Sequence, residues 1–303
     1  MIKNFSGIVG APVTPFDQKN RVDYVTFAKQ INFLIKNGVS LIAHPMHIGE
    51  SINLTIEERK DLAQCLVESA GGRVPTFVHC SFGGTDQAAD LASYCEKVGT
   101  TGIVLLAPYY WRSKTDAIID HIVTVAGRLK GKLIVYNNPK ATQVEISPDI
   151  FSRLLDRLPN FIGFKDASFD MKYFTEICRR NEEKGSRVAV YTGVEYLLTS
   201  MPVGGRGCFS ACSEVAPKLV LSLYRACAAM DVKKARLLQY QTRQLLTLLY
   251  EDHPMTLKYV MGLMGRPVGQ TRKPLPPLSP EKRARVKKGL KSLAFLEKEP
   301  RGW

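Results

Sequence analysis

The feature of this sequence that most constrains its fold is a repeat of short apolar segments. Eight segments rich in apolar and β-branched residues occur along the chain, and from the second to the seventh they begin about 27 to 33 residues apart. That interval is the size of one strand followed by one helix, and strands separated by helices form parallel sheets. The predicted strands cover residues 7–13, 41–43, 74–78, 103–106, 133–136, 161–164, 188–191 and 208–209.

The segments between these strands carry helix signals. Thr55 and Glu58 form a predicted capping box, Thr85 is a predicted cap, and Ser147-Pro148 supplies a cap followed by a first-turn proline. A doubly wound open sheet is the competing arrangement, but no Gly-x-Gly-x-x-Gly follows the first strand and no P-loop occurs. We therefore predict an α/β fold, a (β/α)8 TIM barrel with a C-terminal helical extension.

After the eighth strand the pattern becomes purely helical. The proline-rich stretch 273–280 separates the last helix from those before it. We expect a barrel over residues 1–230 and a C-terminal helical bundle over residues 231–303. The predicted C-terminal helices cover residues 217–230, 232–249, 254–264 and 280–296.

Apolar runs and cysteines bear on where the protein works. The longest apolar runs reach about five to seven residues, far short of the roughly 20 that span a bilayer, and the first residues lack a secretory pattern. The seven cysteines are odd in number and include no Cys-x-x-Cys pair, which argues against a disulfide framework. We expect a cytoplasmic protein with reduced thiols and no membrane partner.

The formal charge of +14 is concentrated near the C-terminus. Residues 266–303 hold eleven Lys or Arg and three Glu, a net +8. Basic residues of segment 281–296 surround an apolar stripe of Val286, Leu290 and Leu293, which is typical of one amphipathic helix. We expect the solvated face of a packed terminal helix, and nucleic acid or another anionic surface remains the alternative partner.

The sixth predicted strand ends in a lysine where the chemistry of a barrel enzyme is found. By alternation Phe161, Gly163 and Lys165 share one face, and Ile162 and Phe164 share the other. Because the helix-facing side takes the purely apolar pair, Lys165 is predicted to point into the barrel. Desolvation there would lower its pKa and leave some amine neutral and nucleophilic.

The fifth predicted strand places a tyrosine beside this lysine. The same alternation puts Tyr136 inside the barrel, one strand from Lys165. A tyrosine next to an imine-forming lysine can carry protons during carbinolamine dehydration and bond cleavage. The alternatives are an ion pair between Lys165 and a carboxylate such as Asp166, and a core aromatic role for Tyr136.

Five short motifs carry a resemblance to a known family. They are Gly49-Glu50, Pro108-Tyr109-Tyr110, Tyr136-Asn137-Asn138-Pro139, Gly163-Phe164-Lys165-Asp166 and Gly204-Gly205-Arg206-Gly207. In order and spacing they resemble the dihydrodipicolinate synthase / N-acetylneuraminate lyase family, over about residues 7–267. The resemblance implies a (β/α)8 barrel with a C-terminal helical bundle, usually assembled as a homotetramer that is a dimer of tight dimers.

The resemblance also implies roles for individual residues. Lys165 would form a Schiff base with a 2-oxo acid, typically pyruvate or a sugar-derived relative, and Tyr136 would be the proton shuttle. Tyr110 matches the residue that in synthases of this family reaches across the tight-dimer interface. On this basis we expect a class I lyase that forms homo-oligomers, acts on a small 2-oxo acid and needs no cofactor beyond the imine on Lys165.

The loop after the second strand departs from the family pattern. The family usually has Gly-Thr-Thr-Gly-Glu, whose hydroxyl and backbone N–H groups hold the carboxylate of the 2-oxo acid, and this chain has Met46-His47-Ile48-Gly49-Glu50. We expect the N–H groups of Ile48 and Gly49 to bind the carboxylate, since main-chain donors do not depend on the side chain. His47 is expected to replace the missing hydroxyl as acid or base, or else to line the pocket.

A second departure follows Pro139. Dihydrodipicolinate synthases proper have an arginine two positions later, whereas this chain has Lys140 and then Ala141. A lysine one position away points differently and lacks the bidentate fork, so we expect another aldol cleavage, condensation or dehydration reaction. Ala141 and Phe209 complete the expected substrate-binding residues. Dihydrodipicolinate synthase itself and a non-catalytic binding or regulatory protein remain alternatives.

Three histidines near strand ends suggest a different mechanism. His44, His47 and His79 are residues of the kind that bind zinc in metal-dependent aldolases. No carboxylate motif of a metallo-barrel accompanies them, and an internal lysine makes a metal unnecessary, so we expect none. With the aromatic residues 109–111, these histidines are expected to make the pocket polar and aromatic.

Overall fold

The computed structural model describes residues 5–303, and its centre is a closed barrel of parallel strands. Within that range the strands pair in chain order, and the last strand pairs with the first. This confirms the predicted (β/α)8 barrel. The strands are β1 Gly7–Gly10, β2 Leu41–His44, β3 Thr76–His79, β4 Gly102–Leu106, β5 Lys132–Asn137, β6 Phe161–Asp166, β7 Ala189–Thr192 and β8 Gly207–Ser210.

Helices follow the strands and cover the outside of the barrel with their apolar faces. No helix within residues 5–303 is both long and apolar enough to cross a membrane. The helices are α1 Tyr24–Lys36, α2 Ile56–Ala70, α3 Thr85–Lys97, α4 Thr115–Ala126, α5 Pro139–Thr142, α6 Pro148–Arg157, α7 Met171–Glu183, α8 Leu197–Ser200, α9 Pro217–Ala228, α10 Val232–Leu249, α11 Met255–Leu263 and α12 Pro280–Ser292.

Two of the three predicted helix caps are confirmed. Thr55 forms the capping box of α2, and the Ser147 side chain accepts a hydrogen bond from a backbone N–H of α6. The prediction for Thr85 is wrong, because the residue is already the first of α3. Its hydroxyl lies 2.9 Å from Nδ1 of His121 on α4, a long-range partner that competes with capping.

The chain after β8 is helical, as predicted. The last helix ends at Ser292 instead of residue 296, and a short 3-10 turn, Ala294–Lys298, follows it. Val286 and Leu290 of α12 are buried, and Leu293 packs partly buried against the same core. The predicted apolar stripe therefore holds the basic terminal helix on the protein.

A one-residue bulge in β6 changes which side chains face the helices. Ile162 is the extra residue in the pairing of β6 with β5. The rings of Phe161 and Phe164 both contact Phe151 on α6, with ring centres 5.8 and 5.0 Å apart. The prediction that Phe161 shares the inward face with Lys165 is wrong, because the bulge shifts the alternation before it reaches the lysine.

Candidate active site

Lys165 lies at the carboxyl end of β6 between two aromatic rings. Its backbone pairs with that of Tyr136 on β5. The Lys165 Nζ atom is 3.9 Å from the centre of the Tyr136 ring and 4.5 Å from the centre of the Phe209 ring on β8. The neighbouring strand β5 and the more distant strand β8 contribute these rings, so the lysine points into the barrel as alternation predicts.

The surroundings of Lys165 favour its neutral form. The side chain is 4% exposed, and it makes no ion pair among residues 5–303. Asp166, the alternative partner, instead accepts hydrogen bonds from Asn137 Nδ2 and from the N–H and hydroxyl of Ser168. Burial lowers the pKa of Lys165 to about 7, so a large fraction of the amine is nucleophilic at neutral pH.

Tyr136 keeps its proton and can donate it. The side chain is buried, and burial raises the pKa of its phenol above the ordinary value. The Asn138 Nδ2 group donates a hydrogen bond to the phenol oxygen at 3.0 Å. The phenol hydrogen itself has no acceptor among the described residues, which leaves it free for a substrate oxygen.

The turn after β2 is fixed from behind by Thr14 and His44. The Thr14 hydroxyl donates to the Gly49 carbonyl at 2.5 Å and lies 3.0 Å from His44 Nε2. Since the hydroxyl hydrogen is used on Gly49, the His44 Nε2–H must be the donor to Thr14. A Cβ atom at Gly49 would lie 3.1 Å from the same imidazole nitrogen. The expectation that His44 lines the pocket is therefore wrong, because its ring packs beneath this turn.

The two backbone groups predicted to hold a carboxylate differ in availability. The Gly49 N–H donates to the Met46 carbonyl at 2.9 Å, within the 3-10 turn His47–Gly49. The Ile48 N–H makes no hydrogen bond to the rest of the described chain. Ile48 is thus the available donor, and the assignment of both residues to substrate binding stays a prediction.

A cavity of about 450 Å³ opens at the barrel mouth. His47, Tyr136 and Ala141 of the predicted site line it. The side chains of Lys165 and Phe209 are not in its wall, since both are almost completely buried beside Tyr136. The remaining lining residues are Glu50, Ser51, Ile52, Asn53, His79, Leu106, Tyr109, Asn138, Thr142, His253, Pro254, Pro274 and Leu275.

Residues after the barrel complete this cavity. Glu50 Oε1 accepts a hydrogen bond from Lys258 Nζ of α11 at 2.5 Å, and Glu50 Oε2 accepts the Arg272 N–H at 2.9 Å. These contacts hold the segment that carries Pro274 and Leu275 against the mouth. The predicted C-terminal bundle therefore contributes directly to the candidate site.

His253 is a cavity residue that the sequence reasoning missed. It lies in the connection between α10 and α11, and its ring is parallel to that of Tyr250, with centres 4.4 Å apart. The His47 ring lies on the cavity side, 6.2 Å away and tilted by 15°. Its position in the sequence gives no signal, because it follows no strand and the catalytic residues of a barrel are expected at strand ends.

His79 has an unusual environment at the end of β3. It is 3% exposed, and both ring nitrogens are buried without a hydrogen-bond partner in the described residues. Its ring meets the edge of Tyr136 at 6.3 Å. The Arg59 guanidinium donates to the His79 carbonyl at 2.5 Å and so fixes the strand end.

The surroundings disfavour the charged form of the imidazoles that border the cavity. Burial lowers the pKa of His79 well below its ordinary value, and the nearby charge of Arg59 adds to this. Desolvation also lowers the pKa of His47, and it lowers the pKa of His253 to about 3. Within residues 5–303, no three His, Cys, Asp or Glu side chains form a group that could hold a metal ion.

Tyr110 lies outside the cavity. Its side chain is 81% exposed, and its ring packs edge-on against Trp111 at 5.1 Å. Its backbone φ is 82°, in the left-handed region. Its predicted contact across a subunit interface stays a prediction, and the exposure of the two rings is compatible with it.

Comparison with known proteins gives consistent matches along the chain. The sequence model of the Dihydrodipicolinate synthetase family matches residues 4–293. A 4-hydroxy-tetrahydrodipicolinate synthase of Archaeoglobus fulgidus is 31% identical over 294 residues, which are 96% of this chain and 99% of the relative. The crystal structure of dihydrodipicolinate synthase from Aquifex aeolicus superposes with a TM-score of 0.91 at 30% identity, covering 96% and 98% of the two chains. The Escherichia coli K12 prophage protein YagE, solved in complex with pyruvate, gives a TM-score of 0.91 at 27% identity, covering 96% and 99%.

Proposed function

This chain belongs to the dihydrodipicolinate synthetase family and is a class I lyase, and we propose that it works through a Schiff base between Lys165 and a 2-oxo acid. The observation that carries this proposal is the buried amine of Lys165, whose lowered pKa favours the neutral form, beside Tyr136 and under an open cavity. The pyruvate complex of YagE supports pyruvate or a close relative as the acid.

The proposed reaction balances without a metal or other cofactor, because the imine itself accepts the electrons. The neutral Lys165 amine adds to the C2 carbonyl, and water leaves as Tyr136 supplies a proton. In cleavage, the C4 hydroxyl loses its proton, the C3–C4 bond breaks, and an aldehyde and an enamine form. Protonation of C3 and hydrolysis of the imine release pyruvate. Condensation is the reverse, and dehydration breaks a C–O bond from the same intermediate.

The cavity residues favour a reaction other than dihydrodipicolinate synthesis. Ala141 in the wall offers no charge, and the Lys140 ammonium lies 5.4 Å from the centre of the Phe169 ring and outside the cavity lining. An aldehyde substrate that carries a carboxylate of its own would lack a cationic partner there. The names of the relatives favour dihydrodipicolinate synthase itself as the second candidate.

We propose first that the protein forms a homo-oligomer in which Tyr110 contacts a second copy. We propose second that His47 takes part in acid–base transfer. The two exposed rings of Tyr110 and Trp111 support the first, since large exposed aromatic groups mark interaction surfaces. The position of His47 in the cavity wall supports the second. Light scattering of a Tyr110→Ala variant tests the first role, and the turnover number of a His47→Phe variant tests the second. An unchanged measurement would refute the role that it tests.

Borohydride reduction in the presence of pyruvate tests the Schiff base. We expect one covalent adduct on Lys165, none in Lys165→Ala, and normal labelling in Lys140→Ala, a matched exposed lysine. Tyr136→Phe should still be labelled, with a turnover number lower by about 100-fold or more, the usual range for losing a proton donor. Equal labelling of Lys165→Ala, or complete inhibition by a chelator without any adduct, would contradict the mechanism.

A further inference from the structure

The cavity above Lys165 offers no countercharge to an anionic substrate tail. Among the described residues that line it there is no lysine or arginine. Its single carboxylate, Glu50, is already paired with Lys258, so it presents no free negative charge either. Because an unpaired charge in a partly desolvated site is costly, the wall favours an uncharged group.

Apolar and aromatic side chains alternate in the wall with neutral polar ones such as Ser51 and Asn138. Leu106, Leu275 and Ile52 supply aliphatic surface, and Tyr109 and Tyr136 supply aromatic surface. The cavity volume of about 450 Å³ lies in the range of small-molecule sites, and it has space for a single ring next to a bound pyruvate.

One wall residue is prepared to make a directional hydrogen bond. Buried polar groups are nearly always paired, yet both nitrogens of His79 are buried and unpaired within residues 5–303. The side chain is 3% exposed and borders the cavity, and the Pro45 backbone near the ring makes no hydrogen bond to it, so a ring nitrogen remains for a ligand there. His253 Nδ1 is a second buried nitrogen without a partner in that range.

Arg59 holds the backbone that carries this imidazole and adds to the effect of burial on its protonation. It reaches from α2 to the carbonyls of His79 and Ser81, and its cationic group packs 4.3 Å from the centre of the Phe82 ring. A fixed positive charge behind β3 opposes protonation of His79. A neutral imidazole keeps one N–H donor and one acceptor, which suits a hydroxyl or another neutral polar group.

We propose that the second substrate of this enzyme is an uncharged aldehyde with an aromatic tail, whose polar substituent is bound by His79. The proposal rests on the proposed function, since the aldehyde reacts with the enamine held by Lys165. A bond forms between C3 of the enamine and the aldehyde carbon, and the aldehyde oxygen takes a proton from Tyr136. Hydrolysis of the imine then releases a 4-hydroxy-2-oxo acid with an aromatic substituent.

Condensation of pyruvate with a panel of aldehydes tests the substrate class. The panel contains 3-hydroxybenzaldehyde, benzaldehyde, glyceraldehyde and succinic semialdehyde, which carries a carboxylate. We expect kcat/KM for the aromatic aldehydes to exceed that for succinic semialdehyde by about 10- to 100-fold, the discrimination an apolar pocket achieves. A preference for glyceraldehyde or succinic semialdehyde, or no condensation of aromatic aldehydes, overturns the proposal. These results bear on the aldehyde only when pyruvate trapping on Lys165 is normal, since failed trapping refutes the proposed function itself.

Two variants test the residues. His79→Phe should lower kcat/KM for 3-hydroxybenzaldehyde relative to benzaldehyde by about 10-fold, through KM, because the loss concerns a hydrogen bond in binding. Ala141→Arg should raise the use of succinic semialdehyde relative to benzaldehyde by a similar factor. His121→Gln, which changes a buried histidine outside the cavity, is the matched control and should leave both ratios unchanged. Unaltered ratios in His79→Phe with intact pyruvate trapping would exclude His79 as the binding group.

Discussion

At the scale of single residues, the reactivity of Lys165 is set by what surrounds it. An ordinary lysine has a pKa of about 10.4 and is almost fully protonated at pH 7. Lys165 is enclosed by the rings of Tyr136 and Phe209, and the described residues provide no carboxylate to stabilise its ammonium form. Aromatic faces attract a cation only weakly in comparison with water, so the neutral amine is favoured.

This environment predicts the pH dependence of imine formation. Because burial lowers the pKa of Lys165 to about 7, the neutral fraction rises about tenfold per pH unit below pH 6 and is nearly complete above pH 8. The initial rate of cyanoborohydride trapping at low pyruvate concentration should therefore rise from pH 5 to 7 and level off above pH 8. Nα-acetyl-lysine, whose side-chain amine is free, is the control and should show no plateau in that range. A tenfold rise between pH 8 and 9 in the protein would contradict the lowered pKa.

Local sequence patterns predict some site residues and miss others. The inward direction of Lys165 and Tyr136 is predictable because alternation within a strand and the order of strands determine it, and their catalytic roles stay predictions. The orientation of Phe161 was predicted wrongly, since a bulge follows from tertiary packing. His253 was missed for a related reason: the connection after α10 meets the turn after β2 only in the folded protein. His44 shows that proximity to a strand end does not specify which side of a turn a ring occupies.

At the scale of elements, one buried ion pair joins the barrel to the C-terminal helices. Glu50 follows the turn after β2, and Lys258 lies on α11, with side-chain exposures of 1% and 2%. The Lys258 ammonium also lies 4.3 Å from the centre of the Phe16 ring. Desolvation offsets much of the attraction in such a pair, so its main effect appears when one partner is lost.

Removal of one partner of this pair should lower the free energy of unfolding much more than removal of both. We expect Lys258→Met to lower the free energy of unfolding by about 3–5 kcal/mol, because Glu50 is left buried without its cation. Glu50→Leu combined with Lys258→Met should recover a large part of that loss, although the Arg272 N–H then loses its acceptor. Urea denaturation of the single and double variants measures both effects.

An exposed ion pair in the C-terminal helices provides the control. Arg285 contacts Glu251 at 2.6 Å, with exposures of 61% and 34%. Arg285→Met should cost less than about 1 kcal/mol, as is usual for surface pairs. Equal effects of Lys258→Met and Arg285→Met would show that burial does not distinguish the two pairs.

At the scale of the whole molecule, the C-terminal tail, residues 293–303, is attached to the barrel through buried polar groups. Arg266 is completely buried and donates hydrogen bonds to the carbonyls of Glu214, Pro300 and Gly302. Its guanidinium also packs 4.3 Å from the centre of the Phe33 ring on α1. The sequence predicted a packed terminal helix from its apolar stripe, but contacts between residues this far apart in sequence leave no periodic signal.

The tail also caps a helix that lacks a cap of its own, and this predicts a stability effect. Ala216 precedes α9 without a side-chain hydrogen bond, and the Glu299 carboxylate instead accepts the N–H groups of Lys218 and Leu219 at 3.0 and 2.8 Å. Glu299→Ala should therefore lower the free energy of unfolding by about 1–2 kcal/mol, the effect of losing an N-cap. Glu297→Ala, at an exposed position of the 3-10 turn that precedes Glu299, should change it by less than about 0.5 kcal/mol. Urea denaturation at matched protein concentrations compares the two, and equal stability of Glu299→Ala and the unaltered protein would show that the tail does not cap α9.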